Sequence, residues 1–264
     1  MTATATCLVV LAAGRGKRFG GSKQLVAVRD DGSTIMDILV RRAAAAGIEL
    51  AAIVVNAEIE RDVHAHLDSV NPDARVQLVT QQRPRGTADA VLVARDVVTG
   101  PIVVANADDL YPMSAFALLA AHLRDAPAHE HAVVGFRLDR TRIGSRPESR
   151  ALLEVDESGL LTSVREAQIE LRGDGTFAMS GAPEVLAADQ LVSMNMWAFR
   201  TNVFDALEAA VADRDRRGAD GEVFLPDVVA SMIAEGATVR VLPCGETCVG
   251  LTYADDVETV RSVL

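Results

Sequence analysis

The chain is poor in several things, and each shortage removes a class of function. Three cysteines (Cys7, Cys244 and Cys248) are too few, and odd in number, for a disulfide framework. Cys244 and Cys248 have no second Cys/His cluster near them in sequence, so they read as ordinary sheet and loop residues, not as half of a metal site. The same holds for the pairs His64/His66 and His129/His131, which sit in polar helix or loop contexts. No apolar run approaches the length of a membrane span. The first residues, Met-Thr-Ala-Thr-Ala-Thr, lack the charged start and long apolar core of a signal peptide. A reducing cytoplasm is the expected location. Positive charge is also short: 26 basic residues face 37 acidic ones, a net charge of −11. A general basic face for nucleic acid or anionic lipid is therefore not expected. Among the basic residues lysine is the scarce one, since only Lys17 and Lys23 occur and arginine supplies the rest of the 26.

Both lysines fall in one stretch. Leu8–Leu11 is an apolar run of strand type, and it breaks into Gly14, Gly16, Gly20 and Gly21 interleaved with Arg15, Lys17, Arg18 and Lys23. Glycines let a backbone turn sharply and bring its N–H groups close to a ligand. Successive N–H groups in such a turn form an anion-binding concavity, and the cations suit it to a polyphosphate. The stretch is not a dinucleotide fingerprint, because three residues separate Gly16 from Gly20 where that motif has two. It is not a P-loop either, since Ser22-Lys23 reverses the order of Lys and Ser/Thr.

Two further stretches carry chemistry. Asn106-Ala-Asp108-Asp109-Leu-Tyr-Pro112 places two carboxylates at the end of a strongly apolar strand. Facing a phosphate loop, such a pair suggests Mg²⁺, which uses one or two carboxylates together with phosphate oxygens and water. Capping of the helix that starts near Pro112 is the plainer role for either aspartate. A DxD glycosyltransferase motif is absent, because Asp108 is flanked by Ala107 and Asp109. The other stretch, Gln81 to Gly86-Thr87, joins a strand to a helix. A Gln amide carries both donor and acceptor, so it can read a uracil or thymine imide, or adenine after flipping. Thr87 is also a natural helix cap.

At 264 residues and 49% hydrophobic, the chain is long enough for one α/β domain with an appended sheet. Strands at 51–55, 76–80 and 101–106 alternate with helices at 35–46, 58–67 and 87–98, which implies βαβ units and a mainly parallel sheet. Ligands in such sheets sit beyond the carboxyl ends of the strands, so the loops at 14–23, 81–87 and 106–112 should gather there. Past residue 125 the pattern becomes strand-rich, with runs at 132–138, 151–155, 160–166 and 191–199 and a hairpin turn at 156–159. Residues 173–189, rich in Gly, Ala and Pro, read as a mobile flap. Helices are expected over 202–213, capped by Thr201, and over 223–235 and 254–264. Arg137, Arg140, Arg142, Arg146 and Arg150 cluster before the second strand run, where they suit either a phosphate or a solvated loop.

The motif Ala12-Ala-Gly-x-Gly-x-Arg-Phe-Gly-Gly-x-Lys-Gln-Leu25 resembles the signature loop of nucleotidyltransferases with a glycosyltransferase-A-like fold, the sugar-1-phosphate nucleotidylyltransferases among them. That resemblance implies a Rossmann-like three-layer sandwich over residues 1–264, with a nucleotide half (1–125) and an acceptor half (126–264). It implies Arg18, Lys23 and Asp108 as catalytic residues and Asp108 as the Mg²⁺ ligand. The nucleotide would lie along Leu11, Ala12, Ala13, Gly14, Arg15 and Gly16, with its base on Gln81, Gly86 and Thr87. Glu166, Asn195 and Trp197 match positions that hold a sugar. Two departures stand out: the Lys that usually follows the Glu is replaced by Ala167-Gln168, and Gly250 stands where relatives have a second metal carboxylate. Thr252, Asp255 and Asp256 are the nearest replacements. The implied reaction is attack of a phosphorylated acceptor on the α-phosphorus of an NTP. A catalytically silent nucleotide sensor, or transfer to a polyol, aminoalcohol or cofactor phosphate, are the competing readings. Partners are thus an NTP and a small phosphorylated acceptor, with no nucleic acid and no membrane. Base, sugar and oligomeric state, homo-oligomer included, stay open.

Overall fold

In the computed structural model, residues 5–14, 19, 22–70, 74–143, 146–218 and 221–264 are described. The first half runs β1 (Cys7–Leu11), α1 (Ile35–Ala45), β2 (Leu50–Asn56), α2 (Glu60–Val70), β3 (Arg75–Gln81), α3 (Thr87–Leu92), β4 (Ile102–Asn106), β5 (Asp109–Leu110) and α4 (Met113–Asp125). Then follow β6 (His131–Arg137), β7 (Glu148–Val155), β8 (Leu161–Leu171), β9 (Phe177–Met179), β10 (Val185–Leu186), β11 (Leu191–Ser193) and β12 (Trp197–Phe199). Helices α5 (Val203–Arg216) and α6 (Leu225–Ala234), strands β13 (Val239–Cys244) and β14 (Val249–Gly250), and α7 (Asp256–Ser262) complete the chain.

The alternation of strand and helix gives what the sequence implied. Strands β3, β2, β1 and β4 lie side by side and parallel. Antiparallel β12 joins β4 to β6, and β13 pairs with β6 in parallel. Side chains alternate along β1: Leu8 and Val10 pack with α1 and α4, whereas Cys7, Val9 and Leu11 pack with α3, α5 and α6. Both faces are covered, which is why β1, β2 and β4 read as continuous apolar runs and not as alternating ones.

The second half adds an antiparallel branch, β11-β7-β8-β9-β10. Strands β11 and β12 run along the same edge of β6 and part on their other side, where β11 pairs with β7 and β12 with β4. The sheet therefore forks at Met194-Asn195-Met196. Asn195 takes a left-handed φ of 60° there, a conformation that Asn tolerates better than most residues.

Several boundaries differ from the sequence reading. The helix expected over 87–98 stops at Leu92 and tightens into a 3₁₀ turn at Arg95–Val97, in a stretch whose β-branched valines disfavour a regular helix. The flap expected at 173–189 instead forms β9 and β10, because Phe177 and Met179 pack beside Ile169 in a small core of their own. Helix α5 continues through the charged residues to Arg216. Neither Thr201 nor Asn202 caps it with a side chain.

Candidate functional site

The parallel strands deliver their loops to one edge. After β1, the Gln24 side chain donates from Nε2 to the Ala12 carbonyl (3.0 Å) and the Gly14 carbonyl (2.8 Å). Asn56, at the end of β2, donates to the Ala13 carbonyl (2.9 Å). With these carbonyls tied down, the loop leaves β1 in a fixed direction. Arg15, Gly16 and Arg18 lie outside the described residues. Leu11, Ala13 and Gly14 line a cavity of about 480 Å³ together with Lys23, Gln81, Gly86 and Thr87. Ala12 is fully buried behind them.

Lys23 and Asp108 meet. The Lys23 ammonium donates to Asp108 Oδ2, with side-chain exposures of 16% and 23%. A second cavity, about 280 Å³, adjoins the first, and Lys23, Thr87, Asn106, Asp108 and Thr252 line both. Its far wall carries Glu148, Ser149, Arg150, Glu166 and Asn195. The Lys23–Asp108 pair thus stands at the junction of two pockets, each lined from both halves of the chain.

The second pocket is built on a directed hydrogen-bond chain. Asp109 Oδ2 accepts from Asn106 Nδ2 (2.8 Å), Asn106 Oδ1 accepts from Asn195 Nδ2 (2.8 Å), and Asn195 Oδ1 accepts from Trp197 Nε1 (2.9 Å). A carboxylate at one end and an indole N–H at the other fix the orientation of both amides. Trp197 is 0% exposed and stacks on Phe199 at 5.7 Å. The expectation that it touches a sugar is therefore corrected: the indole supports Asn195 from the core. Glu166 lies on the pocket wall and accepts from Ser149 Oγ at 2.6 Å. Arg150 points away from a phosphate role, since it donates to the carbonyls of Ser149 and Arg142 and pairs with Glu148. Arg146 sits 4.4 Å over the Tyr253 ring.

Asp109 itself is buried, and burial, followed by the charge of Asp108, pushes its carboxyl up to about 7. Neither Asp108 nor Asp109 caps α4, whose first turn follows Pro112 without a side-chain cap. A Cβ added at Gly250 would come within 2.7 Å of Asp109 Oδ1. The carboxylate missing from position 250 thus has its space taken by Asp109. Asp256 is committed to the backbone N–H groups of Thr252 and Tyr253 (2.9 and 2.7 Å), and Asp255 is exposed and lines neither cavity. Among the residues that line both cavities Asp108 is the one carboxylate, with the Thr252 hydroxyl beside it. Among the described residues no cluster of three His, Cys, Asp or Glu forms a metal cage. A hard cation that takes its remaining ligands from phosphate and water fits this arrangement.

Thr87 does something the sequence did not suggest. Its hydroxyl accepts from the Leu225 N–H (2.8 Å) instead of capping α3. Around it, Val223 N–H donates to Arg85 O (2.8 Å) and Ala88 N–H to Val223 O (3.0 Å). Segments 85–88 and 223–225 are stitched together, which also brings Glu222 to the first cavity and Phe224 to the second. Sequence reasoning missed Asn106, Ser149, Glu148 and Glu222 because no motif flags them. Asn106 alone carried a signal, as the polar residue ending an apolar strand beside two aspartates.

Comparison with known proteins agrees with this geometry. The profile of the MobA-like NTP transferase domain matches residues 8–223. The bifunctional protein GlmU of Chelativorans sp. (strain BNC1) is 27% identical over 265 residues, covering 98% of this chain and 52% of that protein. GlmU of Caulobacter vibrioides is 30% identical over 226 residues, 84% of this chain and 43% of that protein. The chain thus spans about half the length of these GlmU relatives. A UTP–glucose-1-phosphate uridylyltransferase of Streptococcus pneumoniae serotype 4 is 26% identical, covering 88% of this chain and 81% of that protein. Two solved structures share the fold. The inositol-1-phosphate CTP transferase from T. maritima superposes with a TM-score of 0.73 at 16% identity, over 99% of this chain and 97% of that one. A putative glucose-1-phosphate thymidylyltransferase from Bacillus anthracis gives 0.74 at 14%, over 98% and 95%. The mixed sheet with helices on both faces is accordingly the nucleotide-diphospho-sugar transferase fold. With a profile match over residues 8–223, the chain belongs to the MobA-like NTP transferase domain family.

Proposed function

We propose that this chain transfers a nucleotidyl group from an NTP to a phosphorylated small molecule, most readily a sugar-1-phosphate, and releases pyrophosphate. One observation carries the reading: the Lys23–Asp108 pair lies where a cavity of about 480 Å³ meets a second one walled by Ser149, Glu166 and Asn195. The NTP would lie in the cavity of Leu11, Gly14, Gln81 and Gly86. The acceptor would lie against Ser149, Glu166 and Asn195, side chains suited to sugar hydroxyls.

A phosphomonoester is largely dianionic at neutral pH, its second pKa being near ~6. The acceptor is thus already a nucleophile, and no general base is required. The chain's own work is alignment of two anions and stabilisation of charge. Lys23 places an ammonium against the α-phosphorus, where charge grows as the acceptor oxygen adds in line. Arg18 and the N–H groups of the glycine-rich loop are assigned the β- and γ-phosphates. Asp108 would hold Mg²⁺, which when bound neutralises phosphate charge. The proposal keeps the protein in a reducing cytoplasm, in accord with Cys7, Cys244 and Cys248 being free and buried. Among the described residues no helix is long and apolar enough to cross a membrane.

The test is pyrophosphate release with each of the common NTPs against a panel of sugar-1-phosphates, inositol phosphate and aminoalcohol phosphates. Turnover with one NTP and one sugar-1-phosphate is the expected result. Nucleotide binding without turnover across the panel would overturn it in favour of a silent nucleotide sensor, a reading motivated by Gly250.

A further inference from the structure

The Gln81 amide can be read in two orientations from sequence, and the structure holds it in one. Gln81 ends β3 on the wall of the first cavity, and Asp89 sits in the first turn of α3, 1% exposed. Gln81 Nε2 donates to Asp89 Oδ2 (2.8 Å) and to the Gly86 carbonyl (3.2 Å). An amide nitrogen has two hydrogens, so both are used inside the protein. Arg85 Nη2 lies 2.7 Å from the other Asp89 oxygen and forms an ion pair with it. Flipping the amide would set Oε1 against a carboxylate and a carbonyl, three acceptors with no proton among them. Loss of a hydrogen bond to a charged group disfavours that state by about 10- to 100-fold. Oε1 is then the Gln81 atom left for a ligand, and it only accepts. The neighbouring Gly86 N–H, which has no acceptor among the described residues, only donates. Of the carboxylates that line this cavity, Asp108 pairs with Lys23 and Glu222 is exposed, and neither is hydrogen-bonded to Gln81.

We infer that Asp89 is a positioning residue that locks Gln81 with its carbonyl toward the base, so that the pocket takes a base edge with a ring N–H beside a carbonyl and rejects cytosine and adenine. Uracil, thymine and guanine each offer that edge, the complement of an acceptor beside a donor. Cytosine and adenine carry a bare ring nitrogen beside an amino group, so at the same positions they oppose acceptor to acceptor and donor to donor. This rests on the cavity being the nucleotide site, as proposed above, and it narrows the nucleotide to UTP, dTTP or GTP.

The experiment measures binding and turnover of UTP, dTTP, GTP, CTP, ATP, N3-methyl-UTP and N1-methyl-GTP by the whole chain, wild type and Asp89→Asn. Wild type is expected to bind UTP, dTTP or GTP at least about 10-fold more tightly than CTP, ATP and the N-methylated analogues, which lack the ring N–H. In Asp89→Asn the new amide can face Gln81 with either atom, so the preference over CTP should shrink while kcat with the preferred nucleotide changes little. A fall in kcat with that preference intact would overturn the role of Asp89. Equal affinity of wild type for all of these nucleotides, or tightest binding of CTP or ATP, would overturn the base assignment even if Asp89→Asn fails to fold. Binding is read separately from turnover. Absence of turnover with selective nucleotide binding would therefore sink the enzymatic reading and leave this one standing.

Discussion

Replacing Gly86 with alanine strikes the seam between the two halves, and its cost can be worked out. Gly86 has φ of 97° and ψ of −179°, a region essentially reserved for glycine, where another residue costs about 1–3 kcal/mol. The new Cβ would lie 2.4 Å from the Val223 carbonyl oxygen, 2.7 Å from its nitrogen and 2.9 Å from its carbonyl carbon. These are backbone atoms and cannot rotate away. Relief requires Val223 to withdraw, which breaks its two hydrogen bonds to Arg85 and Ala88, at about 0.5–1.5 kcal/mol each. The total is about 2–6 kcal/mol, a large part of the ~5–15 kcal/mol that holds a domain folded. Gly175→Ala serves as the control: φ there is 84°, and a Cβ would meet nothing within 4 Å, so only the backbone cost of about 1–2 kcal/mol applies. Urea unfolding of both variants against wild type checks the difference, and a nucleotide titration of Gly86→Ala should show weakened binding. If Gly86→Ala loses no more stability than Gly175→Ala and binds nucleotide normally, close backbone contact is not what holds segments 85–88 and 223–225 together.

On the proposed mechanism, in which the ammonium meets charge that develops only during transfer, Lys23→Ala should lower kcat by about 100- to 1,000-fold with a much smaller change in KM. Its stability should stay within about 1 kcal/mol, since the partner Asp108 is partly exposed; steady-state kinetics and a thermal melt read the two effects. Arg150→Ala should cost about 3–5 kcal/mol in a denaturant titration, because it removes a buried guanidinium that ties the Ser149 and Arg142 carbonyls to the Glu148 carboxylate. Arg146→Ala, which removes only a ring contact, should cost under about 1 kcal/mol. His131 is 1% exposed and burial, aided by nearby Arg200, lowers its pKa from 6.5 to about 4. The neutral ring is favoured in the folded state, so its contribution is intact above pH 6.5 and is lost as pH falls from there toward 4, by about 3 kcal/mol in all. His131→Gln should flatten that acid limb of the stability curve; an unchanged slope between pH 6.5 and 4 would contradict the assignment.

Much of this was legible from local pattern. Apolar runs alternating with amphipathic ones gave β1 to β4 and their helices, and the rule that loops collect at the carboxyl ends of parallel strands brought Lys23 and Asp108 together. What escaped depends on partners far away in the chain. Thr87 looked like a cap because its hydroxyl stands at a helix start, yet its donor is Leu225, 138 residues on. Trp197 looked like a sugar platform because it is the lone indole beside Asn195. Only the pairing of β12 with β4 and β6 shows that it is inside. The space for a carboxylate at position 250 was likewise invisible until β14 paired with β5 and set Asp109 against it.

The divided strand around Asn195 carries a consequence for how such a molecule can diversify. Strands β1 to β4 and β12 form one trunk, while β7 to β10 hang from β11 as a separate limb whose outermost hairpin touches neither cavity. Lengthening, trimming or exchanging that outer hairpin leaves the walls of both cavities where they are. A library of loop insertions at Gly173–Gly175 and Gly181–Glu184 should therefore be tolerated with no change in what either cavity binds.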